Sequence, residues 1–157
     1  MYHYCIMRIK DTIIIMFITG FLIQYFLMSA IMTDKLANIR NSYSKVYLSV
    51  TMAVAMIAIE VMMHDHQYGV FSSRSYLAIL IVLGTFIYLY KYQVAINDKQ
   101  YLEEMIEHHS MALLTSEKIL EKTDSYNVAK IAKNIIQRQN DEIVFMKSLV
   151  QDIETKS

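Results

Sequence analysis

Three long apolar stretches constrain this chain more than any other feature. From Thr12 to Met32 the apolar run is interrupted only by Thr19, Gln24 and Ser29; Val46 to Met63 and Tyr76 to Tyr92 follow. A helix of about 20 apolar residues crosses a hydrocarbon core of about 30 Å, so the expected spans are 12–32, 46–63 and 76–92. The chain has no proline and three glycines, which leaves few helix breakers and favours long helices over strands and turns. With 55% hydrophobic residues and a positive mean hydropathy, it carries more apolar surface than a soluble domain can bury. The expected fold is all-α: three transmembrane helices in residues 1–95, then an extramembrane helical hairpin in residues 96–157. Arg8 and Lys10 precede the first span, but that span is too long for a signal peptide and has no clear small-residue cleavage site. An uncleaved, multi-pass integral membrane protein is the expectation, with the lipid bilayer as its partner.

Charge is unevenly distributed. Lysine plus arginine equal aspartate plus glutamate at 15 each, which gives no pull toward nucleic acid. Before Ile96 the charges are sparse; after it they are dense. Lys35, Arg40, Lys45, Lys91 and Lys99 lie on the hairpin side of the expected topology, against Arg8, Lys10 and Arg74 on the other. That asymmetry leans toward a cytoplasmic hairpin, by a margin too small to fix the side. Cys5 is the one cysteine, so no internal disulfide framework exists.

After Asn97-Asp98 the pattern changes from continuous apolarity to a helical period. Leu102, Met105, Ile106, His109, Leu113 and Ile119 define one amphipathic helix, and Val128, Ile131, Ile135, Ile143, Met146 and Val150 a second. Lys122-Thr123-Asp124-Ser125 separates them, with Asp124 suited to cap the second helix. The short link implies an antiparallel hairpin. Two helices alone bury little apolar area, so the hairpin is expected to pack on a second copy, on the membrane region or on both.

The sharpest chemical feature is Met105-Ile106-Glu107-His108-His109. Met105 precedes the histidines by three and four residues, so all three side chains can share one side of a helix. Folding the hairpin brings Met105 toward Glu142 and His108 toward Gln139, with Met146 a turn further along. His108, His109, Met105, Met146 and Glu142 form a candidate metal site. Thioethers select Cu(I) and imidazole suits copper in general, so a copper ion is the expected cofactor. The alternative is that His109 is a hydrogen-bonded interface residue and His108 a solvated one. A secondary stripe on the middle span holds Met52, Met56, Glu60 and His64, and His66 lies in the expected loop His64-Asp65-His66-Gln67. An ionisable residue in a span is costly and marks a candidate functional site, although Glu60 near a span end can also pair with His64. No Glu-x-x-His pair, glycine-rich phosphate loop or nucleophile elbow is present. The chain does not read as an enzyme.

The segment Tyr101–Leu149, with its paired histidines, Thr115-Ser116-Glu117, and then Gln139, Glu142-Ile143 and Met146, resembles the domain-of-unknown-function 305 family. The three preceding spans and the methionine-rich second span look like a membrane-anchored branch of it. The resemblance implies a ferritin-like helical half-bundle, and copper binding as in some secreted relatives, with Met105, His108, His109 and Met146 on the motif positions. One departure is Glu107, where relatives commonly have proline. Losing that helix start predicts a helix continuous through the histidines, running on from the third span, and adds a carboxylate beside them.

Two functions follow as expectations: a membrane-anchored protein that sequesters or hands over copper, or a structural membrane protein whose hairpin forms a homo-oligomer or binds a partner. A transporter using Glu60 is a poorer third.

Overall fold

The computed structural model describes residues 9–156; Cys5 and Arg8 lie outside the described residues. It is all-α, with no strand among the described residues. The helices are α1 (Ile9–Leu22), α2 (Met28–Met32), α3 (Tyr43–Tyr68), α4 (Ser73–Lys91), α5 (Asp98–Leu120) and α6 (Tyr126–Lys156), with a π-helical segment at Ile23–Leu27 and a 3₁₀ turn at Leu36–Asn38. Among the described residues three helices are long and apolar enough to cross a membrane: Asp11–Met32, which runs from α1 through the π segment to α2, then Tyr43–Tyr68 and Ser73–Lys91.

The helix ends depart from the expected ones for local reasons. His64-Asp65-His66-Gln67, expected as a loop, is helical and belongs to the end of α3. Nothing in those four residues breaks a helix; the break comes at Gly69, whose φ of 63° is the left-handed conformation that commonly ends helices. The Val70 N–H then donates to the Asp65 carbonyl at 3.1 Å. The Asp65 carboxylate accepts from the Ser72 N–H at 2.6 Å and from Ser72 Oγ at 2.8 Å, closing the tight turn into α4. Nor does α4 run on into α5. Gln93 and Ala95 adopt φ of 50° and 59°, which no helix interior accommodates, and α5 starts afresh behind Asn97, whose side chain accepts from the Gln100 N–H at 2.9 Å. At the hairpin link the cap position of α6 falls on Ser125, one residue after the expected Asp124.

The chain divides into two compact units: one made of the segment ending at Phe26 with Val46–Val94, the other of Leu27–Lys45 with Ala95–Ser157. In the first, α3 is the central helix. Its inner stripe is Ser49, Ala53, Ile57 and Val61, all buried, at the four-residue spacing that lines one helix face. Small residues there let α1 come close. A Cβ placed on Gly20 would lie 3.2 Å from Met56 Sδ and 3.3 Å from the Ala53 Cα, the kind of contact that tightens helix pairs in lipid. α4 buries none of its residues, and Leu77, Leu80 and Ile81 present open apolar surface.

In the second unit α5 and α6 pack antiparallel around Ile106, Leu113, Ile143, Met146 and Val150, flanked by Leu102, Met105 and Ile136. The strip Leu27–Lys45 lies on a separate face of α5. Asp34, Ser29 and Arg40 bond to α5, and Asn38 accepts from Lys147 of α6. Part of the covering that two helices lack is therefore supplied by the segment between α2 and α3.

Replacing Gly20 by valine is expected to force α1 off Ala53, because the Met56 side chain can swing aside but the Ala53 Cα, at 3.3 Å, is backbone. A loss of roughly 2 kcal/mol, typical of overpacking, would appear as a lower thermal midpoint of the detergent-solubilised protein. An unchanged midpoint would contradict the close α1–α3 approach.

Candidate functional site

α5 divides its residues among three surroundings, and this decides what each candidate side chain can do. Glu107, expected beside the histidines, is 8% exposed and belongs to the face under the Leu27–Lys45 strip. It accepts from Ser29 Oγ at 2.6 Å, from the Arg40 N–H at 2.8 Å and from Lys45 Nζ at 3.1 Å. Lys45 Nζ also donates to the Arg40 carbonyl at 3.0 Å. Three residues on, Ser110 Oγ donates to the Asp34 carboxylate and accepts from the Asp34 N–H at 3.0 Å. A buried carboxylate is tolerated only when paired and hydrogen-bonded, and Glu107 meets both conditions. That arrangement commits it to the strip. Sequence reasoning placed Glu107 beside the histidines; the signal for its true role was Lys45 and Arg40 in a link otherwise poor in carboxylates.

The histidines occupy the other two surroundings. His109 faces α6, and its Nδ1 lies 3.1 Å from Glu142 Oε2. This is an ion-pair distance without hydrogen-bond geometry: Nδ1 is buried and has no hydrogen-bond partner. Burial holds the His109 pKa below the ordinary 6.5; Glu142 pulls it upward and His108 pushes it down. At neutral pH the ring is therefore neutral. His108 is exposed, with its ring centroid 6.3 Å from that of His109. Two more buried oxygens without hydrogen-bond partners, Gln139 Oε1 and Glu104 Oε2, lie on the same helix pair. Met146 is in the apolar core and Met105 packs against it. The structure thus brings His109 and Glu142 together and places His108 next to them. Among the described residues no three His, Cys, Asp or Glu side chains are grouped so as to hold a metal ion.

Met52, Met56, Glu60 and His64 all lie in α3 at four-residue spacing. His64 packs on Tyr68, ring centroids 4.7 Å apart, with its Nδ1 3.4 Å from Asp65 Oδ1. His66 is exposed. Both sit in α3, where residues two apart do not face each other, so a helical His-x-His offers no shared ion. Met56 is partly exposed and Glu60 half-buried.

These two helices lie in the part of the chain that matches a family model. Residues 87–156 match the model of the family described as domain of unknown function (DUF305). The matched region begins inside α4 and takes in all of α5 and α6. Over 143 residues the chain is 29% identical to the protein named "Uncharacterized protein L153" of Acanthamoeba polyphaga mimivirus, an alignment that covers 91% of this chain and 93% of that one. The likeness therefore reaches beyond the hairpin into the apolar helices. No solved structure matches the chain significantly.

Replacing Glu107 by alanine removes the carboxylate 3.1 Å from the Lys45 ammonium, whose side chain is 12% exposed. A destabilisation of about 3 kcal/mol is expected, together with faster tryptic cleavage at Arg40. The double replacement Glu107→Leu with Lys45→Met should cost less than Glu107→Ala, since both members of the buried pair are then replaced by apolar groups. Equal cleavage rates in wild type and Glu107→Ala would show that the carboxylate does not hold the strip.

Proposed function

We propose that this is a membrane-anchored metal-binding protein whose hairpin captures copper for sequestration or handover. Anchoring rests on the three long apolar helices, which bury only 11%, 33% and 0% of their most apolar windows and so expose apolar side chains along their lengths. The reading of α5 and α6 as a ferritin-like half-bundle belongs to the same proposal. The observation that carries the metal reading is the buried Nδ1 of His109, which lacks a hydrogen bond and faces the Glu142 carboxylate.

The donor set fits a copper ion better than a hard cation. Imidazole nitrogen suits copper, and a thioether favours Cu(I). His109 supplies the ring nitrogen and Glu142 an oxygen; His108 adds a second imidazole from the solvent side. Met105, four residues before His109, adds sulfur from the edge of the core. Met146 lies in the core beneath them and serves as packing. A ring nitrogen must be unprotonated to ligate, and the depressed pKa of His109 keeps it so below the ordinary histidine range. Binding is therefore expected to persist as pH falls past 6.5 and to be lost as pH falls through the lowered value.

A second reading has its own observation. On α6, Val128, Ile131 and Phe145 are 41%, 60% and 62% exposed, apolar side chains that α5 leaves uncovered. An assembly protein would use them against another copy or a partner.

Copper titration of the detergent-solubilised protein, with Cu(I) under reducing conditions and Cu(II) separately, tests the first reading. Stoichiometric binding is expected, lost in the double replacement of His108 and His109 by alanine while helicity is retained. Unchanged binding in that variant, or none in the wild type, would overturn it. An oligomer that dissociates when Ile131 and Ile135 are replaced by glutamate would then favour assembly.

A further inference from the structure

The strip between α2 and α3 does more than cover α5, because it gathers positive charge that its own acids do not match. Lys35, Arg40 and Lys147 converge there. Lys147 reaches from α6 to the strip and donates its Nζ to Asn38 Oδ1, a neutral acceptor. Arg40 is pinned through its backbone on both sides, N–H to Glu107 and carbonyl to Lys45 Nζ, yet its side-chain Nε is buried with no hydrogen-bond partner. Lys35 stands at the start of the 3₁₀ turn, its side chain 74% exposed and its Nζ 3.8 Å from Asp34 Oδ2.

The nearby carboxylates are already engaged. Asp34 is bonded by Ser110 and Asn38, Glu107 by Ser29, Arg40 and Lys45, and Glu154, within electrostatic reach of Arg40, is paired with Lys99 at 2.8 Å. Burial lowers the Lys147 pKa, and the charges of Arg40 and Lys35 lower it further against the pull of Asp34. Such a group gains from an added anion. A guanidinium fork and ammonium groups are the usual donors to phosphate oxygens. The position supplies the source, since Lys35 and Arg40 lie three residues beyond Met32 and three before Tyr43, the ends of two membrane-length helices. Basic residues at that level meet lipid headgroups.

We propose that Lys35, Arg40 and Lys147 form a phosphate-binding site that takes the headgroup of an anionic phospholipid. The lipid source rests on the membrane reading above; the phosphate chemistry does not.

The test measures thermal stabilisation of the full-length protein in neutral detergent on adding phosphatidic acid, phosphatidylcholine, or inorganic phosphate at matched ionic strength. Phosphatidic acid is expected to raise the unfolding midpoint and phosphatidylcholine to raise it far less. Lipid affinity should fall roughly fivefold for each charge removed in Arg40→Gln and Lys147→Gln. Lys147→Arg, which keeps the charge, and Lys118→Gln, which alters an exposed pair elsewhere, should retain it. Equal stabilisation of the wild type and the Arg40→Gln, Lys147→Gln double variant would overturn the site, as would a loss in Lys147→Arg as complete as in Lys147→Gln. If inorganic phosphate alone reproduces the whole shift, the site stands and the lipid source falls. Carbonate extraction of cell membranes, run in parallel, reads the anchoring separately, and the variants should remain in the membrane fraction.

Discussion

Glu107 is where three segments of the second unit are tied: Ser29 at the end of the first long apolar helix, Arg40 in the strip, and Lys45 in the first turn of α3 all donate to one carboxylate. Removing a carboxylate from water costs several kcal/mol, so such a residue is stable only where the fold delivers its partners reliably. Here the delivery is shared. The Lys45 ammonium neutralises the charge, while a hydroxyl and a backbone amide use the remaining lone pairs. Because these donors come from the strip and the acceptor from α5, the strip holds its place only while the helix does, and the helix gains a covering it would otherwise lack. The Ser110 to Asp34 bonds, three residues further along α5, extend the same seam.

That seam also sets what the paired histidines can do. A helix has about 3.6 residues per turn, so fixing Glu107 and Ser110 under the strip turns His109 toward α6 and leaves His108 in the open. Adjacent in sequence, the two rings end in different surroundings, one half-buried beside Glu142 and one solvated. Their difference in exposure follows from the commitment of their neighbour.

Much of the fold could be read from the residues. The apolar runs marked three long helices, and the change to a helical period after Asn97 marked the hairpin. What escaped was governed by backbone conformation and by contacts distant in sequence. His64-Asp65-His66-Gln67 is polar enough to suggest a loop, yet the chain turns only at Gly69, where the backbone is left-handed. The stop between α4 and α5 rests on Gln93 and Ala95 in left-handed conformations, which neither residue type advertises. Of the candidate site, helical spacing set Glu142 toward Met105 and His108 toward Gln139, whereas Glu142 lies beside His109 and His108 is exposed; the rotation of α5 that decides this is fixed by contacts distant in sequence. Nor was the role of Glu107 legible, since no local pattern pairs it with residues 62 and 78 positions earlier.

Those separations have a consequence for descent. Ser29, Lys45 and Glu107 lie in three parts of the chain, yet a change at any one removes a bond that the others make in a buried place. The three positions should therefore vary together: lineages that keep a carboxylate before the histidine pair should keep a cation at the start of α3, and those that place proline there are free of that obligation. Without a carboxylate there, the strip would keep only the Ser110 to Asp34 bonds and the Gln100 to Tyr43 bond to α5, so the trio sets how firmly the covering is held.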